Sequence, residues 1–140
     1  MPKGHSGLLL LDVNVLVALA WPHHPFHRNA THFMTDCPRW ATCATTQLGF
    51  LRTSLNPLIV HAKITAFEAL ATLAGILETP GHQYLDGGPQ AVDMREAFSH
   101  VVGYRQITDA FLIALAEHHG ARFATLDAKL RNVPGVVLLK

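Results

Sequence analysis

Short apolar runs alternate with longer amphipathic segments along the whole chain. The run Leu8–Leu11 is uninterrupted, and the segment Leu8–Val13 that contains it is typical of a strand buried on both faces of a parallel sheet. Four shorter runs follow it. They predict strands at Trp40–Cys43, His82–Leu85, Arg122–Leu126 and Val136–Leu139.

Between these runs, apolar residues recur at helical spacing. Thr65 and Glu68 form a capping box that opens an amphipathic helix reaching Leu77. Thr108 can cap a further helix, and Gly120 fits that helix's C-terminal end. The remaining predicted helical segments are Val15–Ala20 capped by Asn14, Phe26–Thr35, a helix from Thr45 or Thr46 to Asn56, Ala91–His100, and a turn at Ala128–Arg131.

Strands that alternate with helices predict a three-layer α/β/α sandwich with a mostly parallel sheet. The length of 140 residues suits a single domain spanning 1–140. The hydrophobic content of 49% supplies an ample core and argues against disorder. The formal net charge of +1 excludes bulk polyelectrolyte binding, so nucleic-acid contact must use local patches.

The number of cysteines and the length of the apolar runs allow a prediction of the cellular compartment. Cys37 and Cys43 are the only cysteines, and we expect both to be reduced thiols of a cytoplasmic protein. Asp12 and Asn14 interrupt the N-terminal apolar stretch, so it predicts no export signal. No segment reaches the roughly 18 consecutive apolar residues of a membrane span, so we expect no membrane partner.

Three aspartates stand where predicted elements end or begin. Asp12 ends the first strand, Asp109 opens the helix before the fourth strand, and Asp127 ends that strand. In an open parallel sheet such positions gather at one edge, where ligands bind. Clustered carboxylates repel one another and lose hydration, which a divalent cation offsets. The pattern therefore predicts a metal-dependent enzyme.

Each aspartate alone also has a structural interpretation. Asp12 can cap the next helix, Asp109 is favoured by the helix dipole, and Asp127 can make an Asx-turn. Their arrival at one edge, together with Gln47 in the first turn of the helix after the second strand, favours the functional interpretation.

Four ordered segments carry a resemblance to a known family. They are Leu10–Leu16, Thr45–Arg52, Ile107–Ala110 and Ala124–Asp127. In order and spacing the chain resembles a PIN domain, and most of all the VapC toxins of bacterial VapBC toxin–antitoxin pairs. The resemblance covers roughly Leu8–Leu139, and its specificity lies in the ordered set rather than in any one motif.

The resemblance implies an Mg²⁺-dependent (or Mn²⁺-dependent) endoribonuclease acting on RNA. Asp12 and Asp109 would be the leading metal ligands, and Asp127 would complete the acidic site directly or through water. Three carboxylates suffice, because Mg²⁺ usually takes one or two and keeps several waters. The resemblance also implies a homodimer and a VapB-like antitoxin partner.

Gln47 departs from the family, many of whose members carry a glutamate near this position. An amide keeps a carbonyl oxygen but loses the charge and cannot act as a base. Gln47 is therefore either a natural variant of this branch or an inactivating change. We include it in the expected catalytic set as a residue that orients water or phosphate, and we expect activity to survive.

Several residues around this edge have two interpretations. Arg52 and Arg105 are the favoured contacts to RNA phosphates, although each could be a solvated surface charge. Thr108 and Thr125 are either hydroxyls that support the carboxylates or a helix cap and an ordinary strand residue. Asn14 could hold the Asp12 carboxylate, but capping is the simpler role.

Three histidines follow the first predicted helix. A transition-metal site at His23, His24 and His27 needs a fourth convergent partner, which the sequence does not supply. These rings could instead flank an RNA channel and stack on bases.

Two other functions compete with a ribonuclease. Asp12 followed by Asn14 loosely resembles the first motif of haloacid dehalogenase-like phosphatases, but that chemistry needs a second aspartate where Asn14 stands. The second alternative is a PIN-like module with Gln47 that binds RNA or protein without cleavage. Metal-dependent turnover that Asp12→Asn abolishes distinguishes the enzyme from the binding module.

Overall fold

A five-stranded sheet forms the centre of the computed structural model, which describes residues 7–140. Its strands are β1 Leu9–Leu11, β2 Trp40–Thr42, β3 His82–Tyr84, β4 Arg122–Thr125 and β5 Val136–Leu138. They lie in the order β3-β2-β1-β4-β5, and all four neighbouring pairs are parallel. The predicted parallel α/β architecture is confirmed.

Between β4 and β5 there is only a short 3₁₀ turn, whereas the other successive strands are connected through α-helices. They are α1 Val13–Ala20, α2 His27–Thr35, α3 Ala44–Ser54, α4 Pro57–Val60, α5 Ala66–Leu77, α6 Arg95–Phe98 and α7 Ile107–His118. Short 3₁₀ turns lie at Ala91–Asp93, Tyr104–Gln106 and Ala128–Leu130. Within residues 7–140, no helix has both the length and the apolar character needed to cross a membrane.

The core has two parts, one on each face of the sheet. Leu9 and Leu11 of β1 pack in one part with residues of α1, α2, α3 and α5. Leu10 packs in the other with Phe123 of β4 and Leu112 of α7. Because successive strand side chains point to opposite faces, a continuous leucine run can fill both parts, and helices on both faces complete the three layers.

The first strand ends earlier than predicted, and the helix after it has a different cap. Asp12 has extended backbone angles, and its Oδ1 accepts a hydrogen bond from the Val13 backbone N–H at 2.7 Å. The prediction that Asn14 caps this helix is wrong, because the helix already begins at Val13 and its amide is used elsewhere.

Two other predicted caps are also wrong. Cys43, not Thr45 or Thr46, is the N-cap of α3, and the Thr46 hydroxyl accepts from the Cys43 backbone N–H. Helix α7 begins at Ile107, directly after a 3₁₀ turn, so Thr108 lies inside the helix. Local sequence leaves such boundaries open because neighbouring polar residues offer similar capping groups.

Other local predictions hold or need small changes. The capping box of Thr65 and Glu68 is confirmed in α5, and Gly120 adopts a φ of +71° just after α7. Helix α3 ends at Ser54, two residues before the predicted stop at Asn56, and Asn56 instead caps the extra turn α4, in which Pro57 is the first residue. The helix predicted over Ala91–His100 is divided into a 3₁₀ turn and α6.

We expect Phe50→Ala to lower the free energy of unfolding by about 3–5 kcal/mol. Phe50 is fully buried, and its ring stacks on Trp21 at a centroid distance of 6.4 Å. The matched control is Phe67→Ala, because Phe67 is 85% exposed. Urea unfolding followed by circular dichroism measures both, and equal losses in the two variants would contradict the packing described here.

Candidate active site

The candidate site lies where the chain order of the strands reverses direction across the sheet. From β1 the sheet continues to β2 on one side and to β4 on the other. In open parallel sheets this arrangement leaves a crevice at the carboxyl ends of the two central strands. Asp12 directly follows β1, and Asp127 lies two residues after the end of β4. The fold thus brings two residues 115 positions apart to one crevice.

A cavity of about 360 Å³ occupies this crevice. The residues lining it are Asp12, Val13, Asn14, Val17, His24, Thr53, Ile59, Asp109 and Asp127. The structure therefore brings together the three predicted aspartates. It places them around one pocket, with Asp109 contributed by the first turn of α7.

The Asp12 carboxylate is held by one hydrogen bond to each oxygen. The Val13 backbone N–H donates to Oδ1 at 2.7 Å, and the Thr125 hydroxyl donates to Oδ2 at 2.7 Å. Asp12 is 8% exposed, so neither donor can be replaced freely by water. The two bonds fix the plane of the carboxylate relative to the pocket.

Thr125 is the centre of a wider network. Besides donating to Asp12, its buried oxygen accepts from the Asn14 side-chain amide at 3.2 Å and from the Asp127 backbone N–H at 3.0 Å. The Asn14 carbonyl oxygen in turn accepts from the Leu126 backbone N–H at 3.1 Å. Thr125 thus contacts the Asp12 carboxylate directly, whereas Asn14 reaches it only through Thr125; supporting roles for both at the site stay predictions.

Burial and the neighbouring negative charges raise the pKa values of Asp12 and Asp109. Burial raises the pKa of Asp12 to about 6; Asp109 and Asp127 add to the rise, while the Thr125 hydrogen bond opposes it. Burial also raises the pKa of Asp109, with a further contribution from Asp127. Among residues 7–140, no cationic side chain offsets these effects on either group.

This donor set fits a hydrated divalent cation. Within residues 7–140, no three acidic, histidine or cysteine side chains are close enough to enclose a metal ion directly. Mg²⁺ does not require such a cage, because it binds through one or two carboxylates and keeps several of its waters. The raised pKa values of Asp12 and Asp109 mark the charge that such an ion would neutralise.

Gln47 lies outside the group of residues that line this pocket. Its side-chain amide donates to the Thr42 hydroxyl at 3.0 Å, and the same hydroxyl is hydrogen-bonded to His82 Nε2 at 2.8 Å. Gln47 thus contacts the end of β2, one strand away from β1. Its catalytic role stays a prediction.

The other predicted residues are not among those that line the pocket. Arg52 is exposed on α3, and Arg105 is exposed with its guanidinium 5.6 Å from the Tyr104 ring centre. Thr108 is exposed and makes no side-chain hydrogen bond within residues 7–140. Roles for these three residues at the site stay predictions.

Several lining residues were not singled out as part of the acidic site from the sequence. Thr53 and Ile59 come from the end of α3 and from α4, and His24 comes from the loop between α1 and α2. The paired histidines next to two prolines could have indicated a rigid loop beside the first motif. No local pattern indicates Thr53 or Ile59.

A larger cleft of about 820 Å³ adjoins the acidic pocket through Asp109. Met94, Ala97, Ile113 and Ala114 are among its apolar lining. Its acidic lining residues are Asp93, Glu96, Asp109 and Glu117, against the single cationic residue Arg95. This cleft is predominantly apolar with an excess of negative charge.

Comparison of the sequence with known protein families identifies the family of this chain. The family model for the PIN domain matches residues 9–136. The chain belongs to the PIN domain family. Curated relatives include ribonuclease VapC38 of Mycobacterium tuberculosis, 40% identical over 123 residues and covering 86% of each chain. Ribonuclease VapC44 of the same organism is 37% identical over 131 residues, or 90% of this chain and 92% of that protein.

Solved structures show the same PIN fold at lower sequence identity. The sarcin–ricin loop cleaving toxin VapC20 of M. tuberculosis is 17% identical, with a TM-score of 0.63 over 94% of this chain and 99% of that one. VapBC2 of Rickettsia felis, solved bound to a promoter DNA fragment, is 12% identical. Its TM-score is 0.60 over 95% of this chain and 99% of that one.

We expect Thr125→Val to destabilise the protein by about 1–3 kcal/mol, although valine has nearly the same shape. The change removes the donor to Asp12 and the acceptor for Asn14 and for the Asp127 backbone. Thr125→Ser, which keeps the hydroxyl, is the matched control and should lose less. Urea unfolding compares them, and equal stability of the two variants would contradict the network.

We expect the metal-free protein to lose stability as the Asp12 carboxyl ionises. The unfolded pKa is near 3.8 and the folded pKa is about 6, so the folded state holds the proton more tightly. This contribution is fully present below pH 3.8 and is lost as pH rises through 6. It amounts to about 3 kcal/mol, from 1.36 kcal/mol per pKa unit.

Urea unfolding in EDTA at pH 4.5 and 7.5 measures this effect. Relative to the wild type, Asp12→Asn should be more stable at pH 7.5 than at pH 4.5, because asparagine does not ionise. Asp36→Asn is the control, since Asp36 is exposed and lies outside the pocket. A constant difference between wild type and Asp12→Asn at both pH values would contradict the assignment.

Proposed function

We propose that this chain is a divalent-metal-dependent endoribonuclease and the toxin of a type II toxin–antitoxin pair. The observation that carries the proposal is the pocket of three aspartates at the central crevice of a PIN fold. Ribonuclease activity is named for relatives that are 34–40% identical over most of the chain, which supports the same activity here.

The chain's own residues would hold the ion and orient the phosphodiester. Asp12 and Asp109 would be the principal ligands, and Asp127 would bind directly or through water. A bound Mg²⁺ or Mn²⁺ would supply an activated water and stabilise charge on the departing oxygen. Thr125 and Asn14 keep the acidic residues in place, so the carboxylates need little rearrangement when an ion binds.

The RNA would approach over the rim of the pocket. Arg52 and Arg105 are both exposed, and their charges suit contacts to neighbouring phosphates, which we propose on chemical grounds. Gln47 is engaged with Thr42. We therefore propose that it supports the end of β2 rather than contacting the scissile phosphate.

Partners are part of the proposal. The fold neighbour from R. felis is a VapBC assembly, which supports an antitoxin partner for this chain as well. The large apolar cleft with acidic lining residues suits a basic antitoxin segment. We also propose a homodimer, for which the exposed Phe67 and Leu70 of α5 provide apolar surface, and a cytoplasmic location.

The phosphatase alternative finds no support in the contacts of Asn14. A haloacid dehalogenase-like site needs an acid/base group at this position, but both ends of the Asn14 amide are bound by protein groups. Metal-dependent cleavage of RNA distinguishes the proposed enzyme from the alternative, a module that binds RNA or protein without cutting.

We expect purified protein to cut total cellular RNA into discrete fragments with Mn²⁺ and not with EDTA. Asp12→Asn should lower the cleavage rate by about 100-fold or more, because metal-assisted catalysis contributes several kcal/mol. Gel electrophoresis of the RNA measures this. Asp36→Asn is the control for a general charge effect and should cleave normally.

Metal binding can be measured independently of RNA cleavage, by thermal unfolding. Mn²⁺ should raise the thermal unfolding midpoint of the wild type and not that of Asp12→Asn, because only the folded pocket binds the ion. RNA that binds to folded protein but stays intact at every Mn²⁺ concentration would favour the binding module. Faster cleavage by Gln47→Glu would restore Gln47 to the catalytic set.

A further inference from the structure

His24 lines the acidic pocket, yet it is neither acidic nor part of the proposed metal site. It is half-buried in the loop between α1 and α2. Its Nδ1 accepts a hydrogen bond from the Phe26 backbone N–H at 3.1 Å. Because a backbone N–H can only donate, Nδ1 is unprotonated and the neutral ring carries its proton on Nε2.

The Nε2–H group of His24 has no hydrogen-bond partner within residues 7–140. Burial lowers the pKa of His24, and the nearby His27 lowers it further, so both effects favour the neutral ring. His27 is itself fixed, because its Nδ1 bonds to the Ala18 carbonyl oxygen at 2.7 Å. His24 thus offers the pocket an unused, neutral hydrogen-bond donor.

A neutral donor suits a pocket that must also hold a cation. A lysine or arginine at this position would pair with the carboxylates and compete with the divalent ion. An imidazole N–H can contact a phosphate oxygen without neutralising Asp12, Asp109 or Asp127. A phosphodiester matches this chemistry, because the carboxylates would hold a cation for its charge and His24 would donate a hydrogen bond to one of its oxygens.

We propose that His24 is a substrate-binding residue, whose Nε2–H donates a hydrogen bond to a phosphate oxygen of the RNA strand held at the three carboxylates. The inference rests on the proposed function, because it takes RNA as the ligand. No proton is transferred in this contact. The hydrogen bond orients the phosphodiester and strengthens its binding.

Two amide substitutions distinguish the role of Nδ1 from that of Nε2 in His24. In His24→Asn the side-chain oxygen can take the place of Nδ1 and accept from the Phe26 backbone, but nothing reaches the position of Nε2. In His24→Gln the longer side chain can place an N–H donor near the position of Nε2. The control is His23→Gln, because the neighbouring His23 is exposed and does not line the pocket.

The steady-state constants for a single-stranded oligoribonucleotide with Mn²⁺ test the proposal. We expect His24→Asn to raise KM about 3- to 10-fold with kcat within about 2-fold of wild type, as the loss of one hydrogen bond predicts. His24→Gln and His23→Gln should keep KM within about 2-fold. Equal KM values for His24→Asn and His24→Gln, whether normal or raised, would overturn the proposal.

A binding measurement keeps this inference separate from the proposed function. Fluorescence anisotropy reports the affinity for labelled RNA in an Asp109→Asn background, with and without His24→Asn. Weaker binding only when His24 is replaced supports the contact, and unchanged binding overturns it. Absence of cleavage by the wild type would instead count against the ribonuclease proposal, and thermal unfolding shows that each variant is folded.

Discussion

The arrangement of the acidic pocket depends on the hydroxyl of Thr125. This buried group donates one hydrogen bond and accepts two, and so connects Asp12, Asn14 and the backbone of Asp127. It joins the ends of the two central strands at the point where they leave the sheet. Because the Thr125 hydroxyl is buried and its other two bonds are partly buried, the partners stabilise one another and hold one arrangement of the site.

The carboxylates of the same pocket repel one another. Burial and mutual repulsion raise the pKa of Asp12 to about 6, so the metal-free site is destabilising at neutral pH. The apolar layers on both faces of the sheet supply the stability that tolerates it. Such a conflict at a PIN-family crevice is expected of a site that binds a cation, because the ion removes the repulsion.

The groups that support the carboxylates share one property. Thr125 and Asn14 are neutral donors, as is His24, which lines the same pocket without contacting the carboxylates, whereas Arg52 and Arg105 are exposed outside the pocket. Neutral donors fix geometry without cancelling charge, and cations at a distance attract a polyanion without occupying the metal position. The distribution of charge therefore agrees with a metal-dependent nuclease.

Local pattern was sufficient to predict the layers of the fold. Strands and helices impose short periods on the sequence, so their signals can be recognised locally. These signals are the leucine run of β1, the capping box at Thr65 and Glu68, and the three aspartates at element boundaries. The parallel sheet and the shared edge of Asp12, Asp109 and Asp127 follow from those elements and the rules of α/β topology.

Only the tertiary structure decided which polar side chains meet. Asn14 contacts Thr125 across 111 positions of the chain, a pairing that no local pattern contains. Gln47 donates to Thr42 rather than to the aspartates, and His24, from the loop after α1, lines the pocket. These contacts depend on how distant elements pack, which one sequence does not encode in any short segment.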